Sequence, residues 1–286
     1  MENWKQTIIT TRRGNFEVFQ KGEGPPLCVT HHYSVFNETG DYYADAFTKN
    51  HAVFLVNLRE AGQSDKAAEP FQLSMLETIF DLEAIREELG FEKWGFAGHS
   101  TGGMLGIIYG IYYSSRLSCL ILTGAAAREY ATFSKECIYN PEHPKFERMQ
   151  NLIDQLKRQG IPVGKRKQLS EERTKFSLFR PEKYNEYFHR KISKSISADR
   201  LNFFNRELPI YDVTRKLVLI AAPTLILCGR YDVQCPLTYS IEMKERIPHA
   251  RLVVFEESNH YPFLEEAELF DGELKKFLRQ IRSTAS

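Results

Sequence analysis

Residues 94–113, WGFAGHSTGGMLGIIYGIYY, constrain this chain more than any other stretch. They begin as a short apolar run, pass through Gly98-His99-Ser100-Thr101-Gly102-Gly103, and continue as a segment that is apolar nearly all round. A helix without a polar face has to be buried. A strand that turns sharply into a buried helix belongs to a sheet with helices packed on it. Gly98 and Gly102 bracket Ser100 where side chains would collide in a tight turn.

The rest of the chain alternates in the same way. Strands are expected over 7–11, 15–20, 27–31, 52–58, 93–99, 117–123, 224–228 and 251–255. Between them, residues 73–90 place apolar groups at 76, 79, 82, 85 and 89, the stripe of an amphipathic helix, with Ser74 as N-cap and Gly90 as the stop. Helices are also expected over 236–247 and 263–281. Strands alternating with helices predict an α/β fold with a parallel sheet covered on both faces. The alternation fails over 128–212, which has helical pieces at 143–160, 181–192 and 198–208 and no convincing strand. This stretch is basic, with 18 Lys and Arg against 12 Asp and Glu. Strands resume after it, so it reads as a helical lid inserted after the sixth strand, with 1–127 and 213–286 forming one core.

Composition narrows the function. A formal net charge of +1 gives no global electrostatic reason for a nucleic-acid partner. Nearly apolar stretches reach only about ten residues, too short to span a bilayer, and the N-terminus shows no secretory pattern. The five cysteines form no CxxC pair, and Cys28, Cys119 and Cys228 lie in apolar runs as small core residues. The expectation is a cytoplasmic protein with a small-molecule substrate, no membrane partner, no metal and no cofactor.

The turn at Ser100 carries chemistry. Gly98-x-Ser100-x-Gly102 between a strand and a helix exposes a serine at a helix N-terminus, where free N–H groups favour developing negative charge. A serine hydroxyl needs a base. His260, in SNHYPFLEE after the last strand, is the candidate. His51, His143, His189 and His249 lie in less telling sequence, and the His99 side chain is expected to point away through the turn. Asp232, in the polar loop ending LILCGRYD, can accept the second N–H of His260; Asp199 and Asp212 are rivals within the insertion or at its edge. The adjacent His31 and His32 make a poor metal site, because neighbouring side chains at a strand end diverge and no third ligand is spaced for it.

Four landmarks in order resemble the α/β-hydrolase superfamily over essentially the whole chain: THHYS (30–34), NLREAGQSD (57–65), GHSTGG (98–103), and GRYDVQCP with SNHYPFLE. The order Ser100, Asp232, His260 is that of this fold. The resemblance implies about eight strands in a mostly parallel twisted sheet with helices on both faces. It also implies a Ser-His-Asp triad and an oxyanion hole made by the backbone N–H groups of Tyr33 and Thr101. Where relatives place an acid after the sixth strand, this chain reads TGAAAR. NLREAGQSD is similar to the family's D-L-R-G-x-G-x-S segment and is expected to be a packed loop, with Arg59 outside the catalysis. A serine at the nucleophile position separates the chain from dehalogenases and epoxide hydrolases, which use aspartate there.

The segments around the insertion look like the lid-bearing esterase and proline-iminopeptidase-like group. Iminopeptidases commonly carry HGGPG where this chain has His31-His32-Tyr33-Ser34-Val35, and several place a glutamate beside the acid where Val233 stands. Glu207 is a candidate substitute amine anchor or a solvated helix residue. His32 is a candidate substrate contact or a solvent-side replacement for glycine, and His31 is expected to bond nearby backbone. Phe133, Phe176, Phe179, Phe203 and Phe204 are expected to wall an apolar pocket. The expected activity is cleavage of a small carboxylic ester, amide or lactone through an acyl-enzyme. The alternatives are a proline iminopeptidase and a small-molecule sensor with a protein partner. Oligomeric state is not readable.

Overall fold

Eight strands form one sheet in the computed structural model, which describes residues 4–158 and 160–284. The strands are β1 (Lys5–Thr11), β2 (Gly14–Lys21), β3 (Pro26–Val29), β4 (Ala52–Val56), β5 (Trp94–His99), β6 (Leu117–Thr123), β7 (Thr224–Gly229) and β8 (Arg251–Phe255). Their spatial order is β1-β2-β4-β3-β5-β6-β7-β8. Pairs β1–β2 and β2–β4 are antiparallel and all others parallel, so only β2 runs against the rest. β3 ends two residues short of the expected His31, because Thr30 leaves the ladder and its hydroxyl donates to the Val56 carbonyl at 2.8 Å.

Side chains alternate between the two faces, as a period of two requires. Cys28 and Ile226 enter one core; Leu27, Val29, Leu225 and Leu227 enter the other. The first core packs under α1 (Met75–Glu88) and α2 (Thr101–Tyr113), and the second under the long C-terminal helix (Ala267–Thr284). Ser74 Oγ accepts from Glu77 N at 3.2 Å and caps α1, and Gly90 follows its end with φ 73°. α2 buries residues 101–110, as an all-apolar helix must.

Between β6 and β7 the chain forms α3 (Phe146–Lys157), α4 (Val163–Lys175) and α5 (Ala198–Glu207). The ends of this insertion lie side by side. Glu129 N donates to Tyr211 O at 2.7 Å, Val213 N to Ala127 O at 2.9 Å, and Arg128 bridges Asp212 in antiparallel register. The segment 143–160 is helical only over Phe146–Lys157, and Gln159 lies outside the described residues. Two features depart from expectation. α4 has no predicted counterpart, since Leu169 is its one buried residue and it shows no apolar stripe. The insertion also contains a strand, Ser195–Ile196, which pairs antiparallel with Ser34–Val35 in a separate two-stranded ribbon. Pairs this short have no sequence period to read. No described helix is long and apolar enough to cross a membrane.

Candidate active site

The carboxyl ends of β5, β7 and β8 bring the candidate residues to one edge of the sheet. Ser100 is the first residue after β5 and caps α2 with φ 55° and ψ −123°. A non-glycine residue held there is strained, and the surroundings have to over-determine it. They do so with backbone. Ser100 N donates to Thr123 O at 2.9 Å, and Ser100 O accepts from Gly103 N at 2.9 Å. A Cβ on Gly98 would lie 2.2 Å from Gly102 O, and one on Gly102 would lie 2.3 Å from Thr30 O. Both motif glycines are therefore close-approach positions.

Asp232 and His260 meet directly. His260 Nδ1 lies 3.0 and 2.9 Å from Asp232 Oδ1 and Oδ2, and both residues are buried. Asp232 Oδ1 also accepts from Gln234 N and Cys235 N, each at 2.9 Å, so the carboxylate is anchored before it reaches the imidazole. Gly124, in the TGAAAR segment after β6, has φ 54°, and a Cβ there would meet Asp232 Oδ2 at 2.9 Å and His260 Nδ1 at 3.1 Å. The Asp–His pair thus passes directly over the residue that follows Thr123, the acceptor for Ser100 N. Among the described residues the Ser100 hydroxyl makes no hydrogen bond.

His99 does not simply turn away. Its ring lies 4.5 Å from that of His260, and His99 Nε2 sits 2.8 Å from His260 O. Burial holds it far below the usual histidine pKa, so it is neutral beside His260. Glu265 is a second support absent from the sequence reading. Its Oε1 accepts from Asn259 N at 2.9 Å and Tyr261 N at 3.3 Å, on either side of His260, and its Oε2 accepts from Phe179 N of the insertion at 2.6 Å. Burial raises its carboxyl to about 6.

The two histidines of THHYS go separate ways. His31 Nδ1 lies 3.0 Å from Ser34 Oγ, and His31 Nε2 lies 3.0 Å from Thr101 Oγ1. It ties the loop to the start of α2 through side chains, where backbone partners were expected. Burial lowers its pKa to about 3, so it stays neutral. His32 is fully buried and so is not a solvent-side residue. It packs against Phe204 at 5.5 Å and against Arg200, with Nε2 at 3.9 Å from Glu207 Oε2. Glu207 is half-buried, and its carboxylate accepts from Met75 N, the first residue of α1, at 3.1 and 3.2 Å. The backbone N–H groups of Tyr33 and Thr101 have no protein acceptor among the described residues.

The aromatic lining differs from expectation. Phe204 packs on Tyr33 at 5.6 Å and Phe179 stacks on Tyr231 at 4.8 Å, but Phe133 is 69% exposed with Arg128 over its ring. The Arg173 guanidinium of α4 lies within electrostatic reach of half-buried Tyr33, Tyr139 and Tyr261. Arg59 is spent on Asp81 at 2.8 and 3.1 Å, in a packed loop.

A family model described as the alpha/beta hydrolase fold matches residues 31–267. The structure of an alpha/beta fold family hydrolase from Bacillus anthracis is similar with a TM-score of 0.92 and 44% identity, covering 98% of this chain and 99% of that one. A proline iminopeptidase of Heyndrickxia coagulans is 25% identical, over 96% of this chain and 97% of its own length. A pimeloyl-[acyl-carrier protein] methyl ester esterase of Vibrio atlanticus is 24% identical, over 91% and 96%.

Proposed function

Because the chain belongs to the α/β-hydrolase fold family, we propose that it is a serine hydrolase that cleaves a small carboxylic ester through an acyl-enzyme on Ser100. The observation that carries this reading is the strained Ser100 at the strand-to-helix turn, on the same sheet edge as the buried Asp232–His260 pair. In the proposed reaction His260 Nε2 takes the Ser100 proton as the hydroxyl oxygen attacks the carbonyl. Asp232 holds the Nδ1–H tautomer and stabilises the imidazolium that forms. The Tyr33 and Thr101 N–H groups receive the oxyanion, and each such donor is worth roughly 2.7–4 kcal/mol in a well-characterised case. His260 then protonates the leaving alcohol and activates water to release the acid. The reaction as proposed uses no metal and no organic cofactor.

The esterase relative supports the ester preference, and the iminopeptidase relative keeps amide cleavage as the second reading. Amine recognition would need a free carboxylate near the site. Glu207 is occupied by the Met75 N–H, and Val233 follows Asp232, so the ester is favoured. The five cysteines are free and buried, in keeping with the cytoplasmic location proposed here.

A panel of nitrophenyl esters, lactones and proline arylamides, run with wild type and Ser100→Ala, tests the reading. Ester turnover that disappears in Ser100→Ala is expected. Turnover confined to the proline arylamides would move the protein to the iminopeptidase reading. A single slow turnover with ligand-dependent capture of a protein would favour a sensor, and activity surviving in Ser100→Ala would sink the mechanism.

A further inference from the structure

Arg200 is a fully buried cation that the reaction above leaves unused. It sits on α5 of the insertion and is 1% exposed. Its hydrogen bonds go to neutral acceptors. Nε donates to the His32 carbonyl, Nη2 to Thr78 Oγ1 at 2.8 Å and His32 Nδ1 at 3.1 Å, and Nη1 to the Arg59 carbonyl at 3.3 Å. Burying a guanidinium without a directly bonded carboxylate is costly, and the contact with His32 supplies a reason to bear that cost.

The His32 carbonyl and the Tyr33 N–H are the two ends of one planar trans peptide, so they point in opposite directions and cannot rotate separately. Whatever grips the carbonyl aims the N–H. A charged donor on the carbonyl oxygen also polarises the amide and strengthens its N–H as a donor. We propose that Arg200 is a positioning residue for the oxyanion hole, locking the His32–Tyr33 peptide so that the Tyr33 N–H faces the carbonyl attacked by Ser100. This rests on the reading of Tyr33 as an oxyanion donor.

The next peptide is gripped from the same side. Tyr33 O accepts from Ser197 N at 2.9 Å, and Ser197 caps the helix that carries Arg200. The ribbon Ser34–Val35 with Ser195–Ile196 continues the attachment. Both peptides flanking Tyr33 are therefore held by the insertion, and the hole is complete only while the insertion is docked. His32 has its own place in this device. Because Nδ1 accepts from Arg200, its ring proton resides on Nε2, and the imidazole serves as a further acceptor for the buried charge.

Arg200→Lys and Arg200→Met, assayed on the best nitrophenyl ester, test the proposal together with inhibition by an alkyl boronic acid. The tetrahedral boronate on Ser100 places an oxygen in the hole. A fall in kcat of about 10- to 100-fold is expected, with KM little changed and boronate affinity falling in step with kcat/KM. Thr78→Val removes one bond of the guanidinium and leaves the His32 carbonyl contact, so its kcat should stay at the wild-type value. Ser197→Pro removes the N–H that grips Tyr33 O and should show a smaller version of the same signature. It carries the test if the Arg200 variants do not fold. Wild-type kcat in the Arg200 and Ser197 variants, or a kcat loss in them with unchanged boronate affinity, overturns the proposal. So does a raised KM at constant kcat, which would make Arg200 a substrate contact. Fluorophosphonate labelling of Ser100 in wild type separates the two readings. Without labelling the hydrolase reading falls; with labelling and indifferent Arg200 variants, only this inference falls.

Discussion

The sheet core and the insertion hold the same site by different means. The core places Ser100, Asp232 and His260 on strand ends that are packed on both faces by apolar side chains. The three longer helices of the insertion bury little: Met149 and Leu152 on α3, Leu169 on α4, Phe204 with Arg200 on α5; its first segment and its end add Tyr130, Cys137 and Tyr211 to the core. It reaches each loop of the site through polar contacts instead. His260 N donates to Ser177 O at 3.2 Å, Gln234 Nε2 to Ser177 Oγ at 2.9 Å, and Lys194 pairs with Asp41 at 2.9 Å. Apolar burial supplies rigidity without direction, whereas hydrogen bonds supply direction with little net stability. The core thus carries Ser100, Asp232 and His260 on its strand ends, and the insertion adds polar contacts to the loops around them.

The largest test of this contrast lies in the core. Asp232→Asn keeps the shape of the side chain but lets the imidazole adopt the wrong tautomer, and kcat should fall about 10⁴-fold with folding unchanged. Steady-state kinetics on the nitrophenyl ester, paired with circular dichroism, decide it; a loss under tenfold would remove Asp232 from the reaction. Gly98→Ala comes next. Its Cβ would press on Gly102 backbone, and a destabilisation above about 4 kcal/mol is expected in urea unfolding. A variant as stable as wild type would show that the elbow can relax.

One substitution made in both regions sharpens the comparison. Leu227 lies at 0% exposure in β7 and Leu169 at 4% in α4. Leu227→Ala should cost about 3 kcal/mol of global stability. Leu169→Ala should cost less than half of that and should raise amide exchange mainly within the insertion. Equal losses in one cooperative transition would mean that the two regions unfold as a unit.

Acid should act where they meet. His31, His32 and His99 are all kept neutral by burial at the base of the loops. The unfolded chain takes up protons that these folded sites refuse, so stability is full above a pH of about 6.5 and falls as the pH drops below it, toward about 3 for His31. Each such group contributes a slope of about 1.4 kcal/mol per pH unit within its window. His32→Asn should therefore flatten the dependence between about pH 6 and about pH 4 in urea titrations; an unchanged slope would show that His32 does not contribute to it. The smallest effect belongs to the insertion's surface. Arg148 and Glu172, 52% and 40% exposed, form a pair whose loss in Arg148→Ala should change stability by no more than about 0.5 kcal/mol in the same assay.

Legibility in the sequence follows the same division. A periodic apolar stripe marks α1 and an unbroken apolar run marks α2, and the eight sheet strands are legible to within a few residues, because burial imposes a pattern. The Asp232 and His260 loops stood out because each follows an apolar strand. α4 was invisible, since a helix of Lys, Arg, Gln and Glu with one buried leucine has propensity but no stripe. The supports of the site were equally hidden. His99 and Arg200 reach carbonyls far away in the chain, and Glu265 accepts from the N–H groups on either side of His260 and from Phe179 N; a backbone partner leaves no mark on the residue that carries it.

By itself the sequence determined the order of strands and helices, the glycine-bracketed turn at Ser100, and the placement of Asp232 and His260 on later strand ends. These depend on local sterics and on which faces must leave water. Only the tertiary structure decided the partners of His31 and His32, the employment of Glu207 at the start of α1, and the grip of Arg200 on the His32 carbonyl. The contacts of His32, Glu207 and Arg200 join residues more than a hundred positions apart, and the energies of all of them depend on distances and burial that no local pattern encodes.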